Sequence, residues 1–367
     1  MKRTDIAILR MVNQQIRATK FTTPQELVSW MGVIQAQDFG MAKWAIGVRV
    51  GSTTDQDIEM AINKGEILRT HILRPTWHFV SANDVHWMLD LSSNKIKAAM
   101  KSRYRELGLS EEMISKSNTI IVKMLSGGNH LPRETLIDAL NANEIATNKN
   151  RASHLLVRAE LDGLICSGTI QNGKQTYALL EERVPNSAAL RKDEALVKLA
   201  DRYFASHGPA TLQDFTWWSG LSMSDARQAF EMVKAGFISE TIDSQIYLFS
   251  NDVEFAKEDK KIAHLLPSYD EFLISYKDRS AALSAENFIK TVSNNGIFHP
   301  IIVVNGQVIG TWKRTVTKDH VIVETNFFSK PDPIIMRSVE EACIKYGLYL
   351  EKKNSSIISL NPPVQSS

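Results

Sequence analysis

Ile165-Cys166-Ser167-Gly168 and Gln175-Thr176-Tyr177-Ala178-Leu179, set on either side of Gln171-Asn172-Gly173, decide the fold class. Two short runs rich in strand formers flank an Asn-Gly pair. That is a strong hairpin signal, because the tight turn needs positive φ at both central residues. Three helical patterns precede it. Residues 111–126 carry Met113, Ile114, Ile120, Ile121, Met124 and Leu125 at helical spacing, and Gly127-Gly128-Asn129-His130 breaks the run. Leu131-Pro132-Arg133-Glu134-Thr135-Leu136 opens a short second helix. Residues 150–163 form a third, with Leu155, Leu156, Ala159 and Leu164 on one stripe. Three helices followed by a hairpin predict a winged helix, a variant of the helix-turn-helix.

The pattern recurs downstream. Residues 189–206 are helical and Gly208-Pro209 breaks them. Thr211 and Asp214 form a capping box, and Ser222 caps a helix carrying Ala229, Phe230 and Val233. Residues 237–241 and 245–249 then predict a hairpin about Asp243-Ser244. Upstream, the first unit is longer. It has a helix over 5–18 and a second opened by Thr23-Pro24-Gln25-Glu26, with Thr23 as cap, Pro24 first in the helix and Glu26 closing the box. Helices over 41–50 and 55–63, a hairpin of 67–72 and 76–80, and two helices over 83–93 and 94–107 complete it. The last third differs: residues 298–328, with Asn305-Gly306 and Lys318-Asp319 as turns, read as a small antiparallel sheet, and 334–347 as a closing helix. The expected fold is α+β, mainly α. Tandem winged helices fall near 1–110, 111–187 and 188–250, and a β-rich region covers 251–367.

A hydrophobic fraction of 43% and a charged fraction of 23% suit a soluble globular chain. No apolar run approaches the ~18 residues of a membrane span, so no membrane partner is expected. The basic N-terminus leads into an amphipathic pattern, not a signal-peptide core. Cys166 and Cys343 sit in apolar contexts far apart and read as buried, unbridged thiols of a reducing, cytoplasmic compartment. Nothing about them suggests a metal. The net charge of +2 hides an asymmetry. Residues 1–110 hold 15 Lys and Arg against 10 Asp and Glu, whereas the later segments hold 8 against 9, 6 against 8 and 14 against 14. All the positive excess is in the first third, the footprint of a nucleic-acid partner.

An apolar helical pattern (Leu27, Val28, Trp30, Met31, Ile34) runs into Gln35-Ala36-Gln37-Asp38. If the helix frays or turns there, both amides can face one site; the plain alternative is a solvated helix end. Asp38 reads as the cap of the next helix at Met41. Arg69, His71 and Arg74 make a basic hairpin suited to phosphate, or a merely solvated strand face. Lys313 and Arg314, after Trp312, are a second candidate contact or an ordinary exposed strand end. His78 reads as a packed strand residue. Asp270, Glu271, Asp278 and Arg279 read as a structural ion-pair network.

The chain resembles the winged-helix DNA glycosylases of the AlkZ-like superfamily. The carriers are Gln35-Ala36-Gln37-Asp38, Ala42-Lys43-Trp44-Ala45-Ile46-Gly47, the run from Arg69 to Val80, and Gly208-Pro209-Ala210-Thr211 with Trp217-Trp218-Ser219-Gly220-Leu221. Leu265-Leu266-Pro267-Ser268-Tyr269-Asp270-Glu271, Asp278-Arg279 and Gly310-Thr311-Trp312-Lys313-Arg314 complete the set. The family's signature is Gln, an aliphatic residue, then Gln or Asp, which Gln35-Ala36-Gln37 fits. Residues 73–79, Leu-Arg-Pro-Thr-Trp-His-Phe, depart from the Met-Arg-Gly-Thr-Leu-His-like stretch of characterised members. The resemblance implies a monofunctional glycosylase for bulky N7- or N3-alkylated purines and possible interstrand crosslinks. It implies double-stranded DNA as partner, a monomer, and no metal or cofactor.

The residues make chemical sense of this. N-glycosidic hydrolysis passes through an oxocarbenium-like sugar. A neutral base wants a general acid, but an N7- or N3-alkylated purine already carries positive charge and leaves unprotonated. Glutamine cannot act as a base near neutral pH, yet its carbonyl accepts from a water and its amide donates to substrate. Gln35 and Gln37 therefore suit a cationic lesion. The alternative is a DNA-binding protein or regulator without catalysis; a protein-contact scaffold is a third reading.

Overall fold

The computed structural model describes residues 2–17, 19–184, 189–250 and 261–360. The chain divides into two units. One takes the residues up to Ile58, Val197–Trp218 and the chain from Ser222 onward; the other takes Glu59–Leu196 and Ser219–Leu221. The fold is mixed α+β, with helices predominating.

In the second unit, strands Ile67–His71 and Trp77–Ser81 pair antiparallel, with Arg69 opposite Phe79 and His71 opposite Trp77. A single helix, Val85–Glu106, follows where two were expected. Leu91-Ser92-Ser93-Asn94 looks like a break in sequence. Ser92 instead donates its hydroxyl to the Met88 carbonyl at 2.7 Å and accepts the Leu73 N–H at 3.1 Å, so both polar groups are satisfied without ending the helix. Helices Glu111–Leu125, Arg133–Ala142 and Arg151–Leu161 come next, and Ser110 caps the first. Their inward stripes (Ile114, Ile121, Leu136, Leu140, Leu155) meet Ile165 in one apolar core. Truncating one of these leucines to Ala costs about 2–5 kcal/mol. Strands Ile165–Ser167 and Thr176–Leu179 form the expected hairpin, and Leu131–Pro132 adds a third strand beside Thr176–Leu179. Asn172 and Gly173 take φ of 50° and 74°, as the turn demands.

In the first unit, Thr23 and Glu26 form the capping box of helix Pro24–Met31. That helix ends at Gly32, whose φ of 77° is a left-handed conformation that glycine adopts freely. Val33–Gln35 is then a short strand, not a helix tail, and Ile34 belongs to it. Asp38 caps the next helix, Phe39–Gly47, accepting the Met41 N–H at 3.1 Å. Thr211 and Asp214 make the second capping box reciprocally, at 3.1 and 3.2 Å. Ser222 caps Met223–Val233, and Asp243 and Ser244, both at positive φ, turn the hairpin Ile238–Ile242/Gln245–Phe249.

A five-stranded sheet closes this unit, in the order Asn354–Leu360, His320–Phe327, Gln307–Val316, Ile301–Val304, Ala263–Leu266. The wholly antiparallel expectation is corrected here: Asn354–Leu360 pairs parallel to His320–Phe327. Helix Pro333–Tyr349 lies between the two in sequence and carries the chain back, so the last strand enters in the same direction. The sequence boundary at 187 falls outside the described residues, and that at 250 abuts 251–260, also outside them.

Candidate functional site

In the first unit, Gln35 ends its strand 5% exposed, and its backbone N–H donates to Glu271 Oε1 at 2.7 Å. Its side-chain oxygen accepts the backbone N–H of Gln37 at 3.2 Å. Gln37 itself is exposed. Three bonds therefore pin the short segment: Glu271 to Gln35, Gln35 to Gln37, and Asp38 to Met41. Among the described residues the Gln35 amide nitrogen has no partner, and neither end of the Gln37 amide has one. The bland expectation of two solvated amides does not describe Gln35.

Glu271 is fully buried and opens the short helix Glu271–Ile274. Besides Gln35 it accepts the Ser275 hydroxyl, and His207 Nε2 lies 3.9 Å from its carboxylate. Asp270 caps the same helix and pairs with Arg49 through two bonds of 2.7 and 2.8 Å. Arg49 also reaches the Gln14 and Ala45 carbonyls and the Gln14 side chain, so all five guanidinium donors are used. A buried ion pair contributes little net stability, but removing one partner costs about 3–5 kcal/mol. The ion-pair network expected of Asp270, Glu271, Asp278 and Arg279 is corrected: among the described residues no ion pair joins these four to one another. Asp270 and Glu271 take partners from elsewhere in the unit. Asp278 accepts the Ser280 N–H, and Arg279 donates to the Leu273 carbonyl and lies over Trp217.

Arg314 and Lys313 alternate on one strand. Lys313 is exposed, whereas Arg314 is half-buried, bonds the Tyr346 hydroxyl and approaches Gly40 so closely that a Cβ there would lie 2.9 Å from its guanidinium. Arg314 therefore adjoins the segment that follows Gln37-Asp38.

In the second unit, Arg69 is half-buried; it donates to Gln175 at 2.9 Å and lies 4.2 Å from the Trp77 ring centroid. His71 does not face solvent. It is 5% exposed, and both its backbone N–H and its ring meet the buried Glu160 carboxylate. Arg74 is half-buried beside His78, at 3.3 Å. His78 is buried as expected: its Nδ1 faces the Thr76 carbonyl, and burial followed by the Arg74 charge hold its pKa well below the usual histidine range. Sequence reasoning missed Glu160 and the backbone role of Glu271. Each sits beside other charged residues, Glu160 between Arg158 and Asp162 and Glu271 after Asp270, and no spacing marks its strand partner.

Cys166 and Cys343 are free and buried; burial raises their thiols to about 12 and about 11. Among the described residues no group of three His, Cys, Asp or Glu is placed to hold a metal, and no helix is long and apolar enough to cross a membrane.

The fold matches that of the Streptomyces sahachiroi DNA glycosylase AlkZ with a TM-score of 0.81, over 98% of this chain and 100% of that one, at 18% sequence identity. Comparison with curated sequences gives no match. The family model for AlkZ-like DNA glycosylases matches residues 28–346, a span that contains both glutamines, the basic hairpin and Glu271. The chain belongs to the AlkZ-like DNA glycosylase family.

Proposed function

We propose that this protein is a monofunctional DNA glycosylase that releases N7- or N3-alkylated purines, bulky adducts and interstrand crosslinks included, from double-stranded DNA. The observation that carries this reading is the state of Gln35. Its backbone is anchored by the buried Glu271, one lone pair of its carbonyl is taken by Gln37 N–H, and its amide nitrogen is unspent. A glutamine held this way can orient a water for attack on the sugar while the exposed Gln37 amide supplies a second contact. Neither amide protonates a leaving group, so the chemistry favours bases that leave with their own positive charge. The Glu271 carboxylate is positioned to favour an oxocarbenium-like centre close to Gln35.

Arg314 beside Gly40, together with Lys313, Arg69 and Arg74, supplies phosphate contacts. His71 serves behind Arg69 by fixing the hairpin to Glu160. The helix-helix-helix-hairpin order of 111–179 and 192–249 supports a winged-helix reading of those segments. We take 1–110 as a longer first winged helix, 251–367 as the β-rich region and the protein as a monomer that binds duplex DNA.

Single-turnover release of N7-methylguanine from duplex DNA tests the proposal. Release that is slowed in Gln35→Ala and Gln37→Ala supports it. No release by the native chain from any cationic lesion, with DNA binding intact, overturns it in favour of a non-catalytic DNA-binding protein.

A further inference from the structure

The second unit holds a cavity that the glutamine chemistry does not use. It encloses about 490 Å³ and is lined by Arg69, Trp77, Arg133, Glu160, Ser167 and Tyr177 among others. That volume is within the ~300–1,000 Å³ of small-molecule sites. Its walls are flat: the Trp77 and Tyr177 rings, and the Arg69 guanidinium lying on Trp77.

Two charged groups give it polarity. Arg133 is half-buried, and its partners are hydroxyls only, Ser153 at 2.9 Å and Tyr177. No carboxylate lies within ion-pair distance of it among the described residues. A guanidinium has five donors, so several remain for an anion. At the other extreme is Glu160, 1% exposed. Its Oε2 is committed to His71, but Oε1 takes only a long 3.4 Å bond from the Trp77 indole. That oxygen has room to accept from a ligand N–H.

A flat ring with N–H donors, joined to an anion, is the chemistry of a nucleotide. We propose that this cavity binds one nucleotide unit. The base lies among Trp77, Tyr177 and the Arg69 plane with a donor edge toward Glu160, and the phosphate lies on Arg133. Guanine serves as the probe base, because its N1–H and amino group present donors, and no ring-nitrogen acceptor, where the edge meets Glu160 Oε1. Stacking on aromatic and guanidinium faces and an arginine on phosphate are the usual means of holding an unpaired nucleotide. The source is either a strand of DNA or a free nucleotide. The inference rests on the nucleic-acid-binding part of the proposed function, not on its chemistry. It can fail while base release stands, and it can hold if base release is absent.

Isothermal titration of the full chain tests it, with deoxyguanosine monophosphate, deoxyguanosine, inorganic phosphate and a short single-stranded oligonucleotide as probes. Saturable binding of the monophosphate, tighter than that of nucleoside or phosphate alone, is expected. Arg133→Met weakens it about 10–100-fold, the usual cost of one hydrogen bond to a charged group, and Arg133→Lys recovers part of the loss. If Arg133→Met does not fold, as judged by thermal melting, Arg69→Met serves in its place and is expected to weaken binding as well. An oligonucleotide that binds more tightly than the monophosphate identifies a strand as the source; equal or weaker binding identifies the free nucleotide. No saturable binding of either, binding unchanged in the variants, or phosphate binding as tightly as the nucleotide overturns the proposal.

Discussion

Two strand residues in this chain meet a buried carboxylate through their backbone N–H. Gln35 meets Glu271 at 2.7 Å in the first unit, and His71 meets Glu160 at 3.0 Å in the second. The carboxylates are equally buried, at 0% and 1%. What differs is the side chain. Glu160 also takes the His71 ring at Nδ1, so one carboxylate holds both the backbone N–H and the ring of that histidine. Glu271 takes the Ser275 hydroxyl instead and leaves the Gln35 amide nitrogen unspent. The same anchoring bond thus goes with a side chain turned to its carboxylate in one case and an amide nitrogen left unspent in the other, the difference on which the proposed role of Gln35 rests.

The comparison is most exposed at the glutamines. Gln35→Ala and Gln37→Ala are each expected to slow release of N7-methylguanine by about 10–1000-fold, the range for losing one positioned hydrogen bond at a reacting centre. Fold and DNA affinity should stay close to native. A double variant as fast as the native chain removes the pair from the mechanism.

Exchanging the two acids sharpens the contrast. Glu160→Ala leaves the His71 N–H buried and unpaired and should destabilise the fold by about 1–3 kcal/mol, read by denaturant unfolding. DNA affinity can weaken with the hairpin unpinned, but single-turnover base release at saturating DNA should be unchanged, because the proposed chemistry does not use Glu160. Glu271→Gln keeps an acceptor for the Gln35 N–H but removes the charge. It should slow release about tenfold at similar stability, the lower end of the effect for a preorganised electrostatic group. Equal effects of the two changes on release would erase the distinction.

Charge reversal at Arg69 and Arg74 should weaken DNA binding to all sequences alike and reduce its salt dependence, by about one unit of slope per lost phosphate contact. His71→Asn, by contrast, should leave the salt slope as it is, since that ring is turned to Glu160. Anisotropy titrations over a range of salt decide between them.

The smallest expected effect is on pH stability. His78 and His264 are held neutral mainly by burial, His264 down to about 4. The unfolded chain binds their protons first as pH falls. Their contribution is therefore full above about 6.5 and is lost progressively toward 4. The melting temperature should fall over that window by several degrees. A histidine-to-glutamine change at 264 should flatten the fall, and a melting temperature independent of pH from 7 to 4.5 would contradict the neutral assignment.

Local signals carried much of the architecture. The capping boxes at Thr23/Glu26 and Thr211/Asp214, the caps at Asp38 and Ser222, and the Asn172-Gly173 and Asp243-Ser244 turns all appear where their residue chemistry put them. Each is a contact within a few residues, so the information is complete in the local sequence. Two of the three departures turn on a partner outside the local sequence. Two helices were expected over 83–93 and 94–107, but Ser92, which donates to the Met88 carbonyl and accepts the N–H of Leu73, 19 residues away, lies inside one helix. Ile34 continued a helical stripe, yet Gly32 ended the helix and the segment became a strand. The last strand was missed because Asn354–Leu360 pairs with a neighbour reached only after the helix Pro333–Tyr349 has turned the chain.

The sequence by itself determined the helices with their caps, the hairpins with their turns, the family, and the presence of two glutamines two residues apart. Tertiary structure alone decided that Gln35 is anchored and Gln37 exposed, that His71 faces inward, that Arg314 adjoins the glutamine segment, and that Arg133 shares a cavity with Glu160 and Trp77. The reason is distance along the chain. Glu271 and Gln35 are 236 residues apart, and Glu160 and His71 are 89 apart. A carboxylate carries no mark of which distant N–H it will meet. Only burial, which makes an unpaired carboxylate and an unpaired N–H both costly, brings the two together.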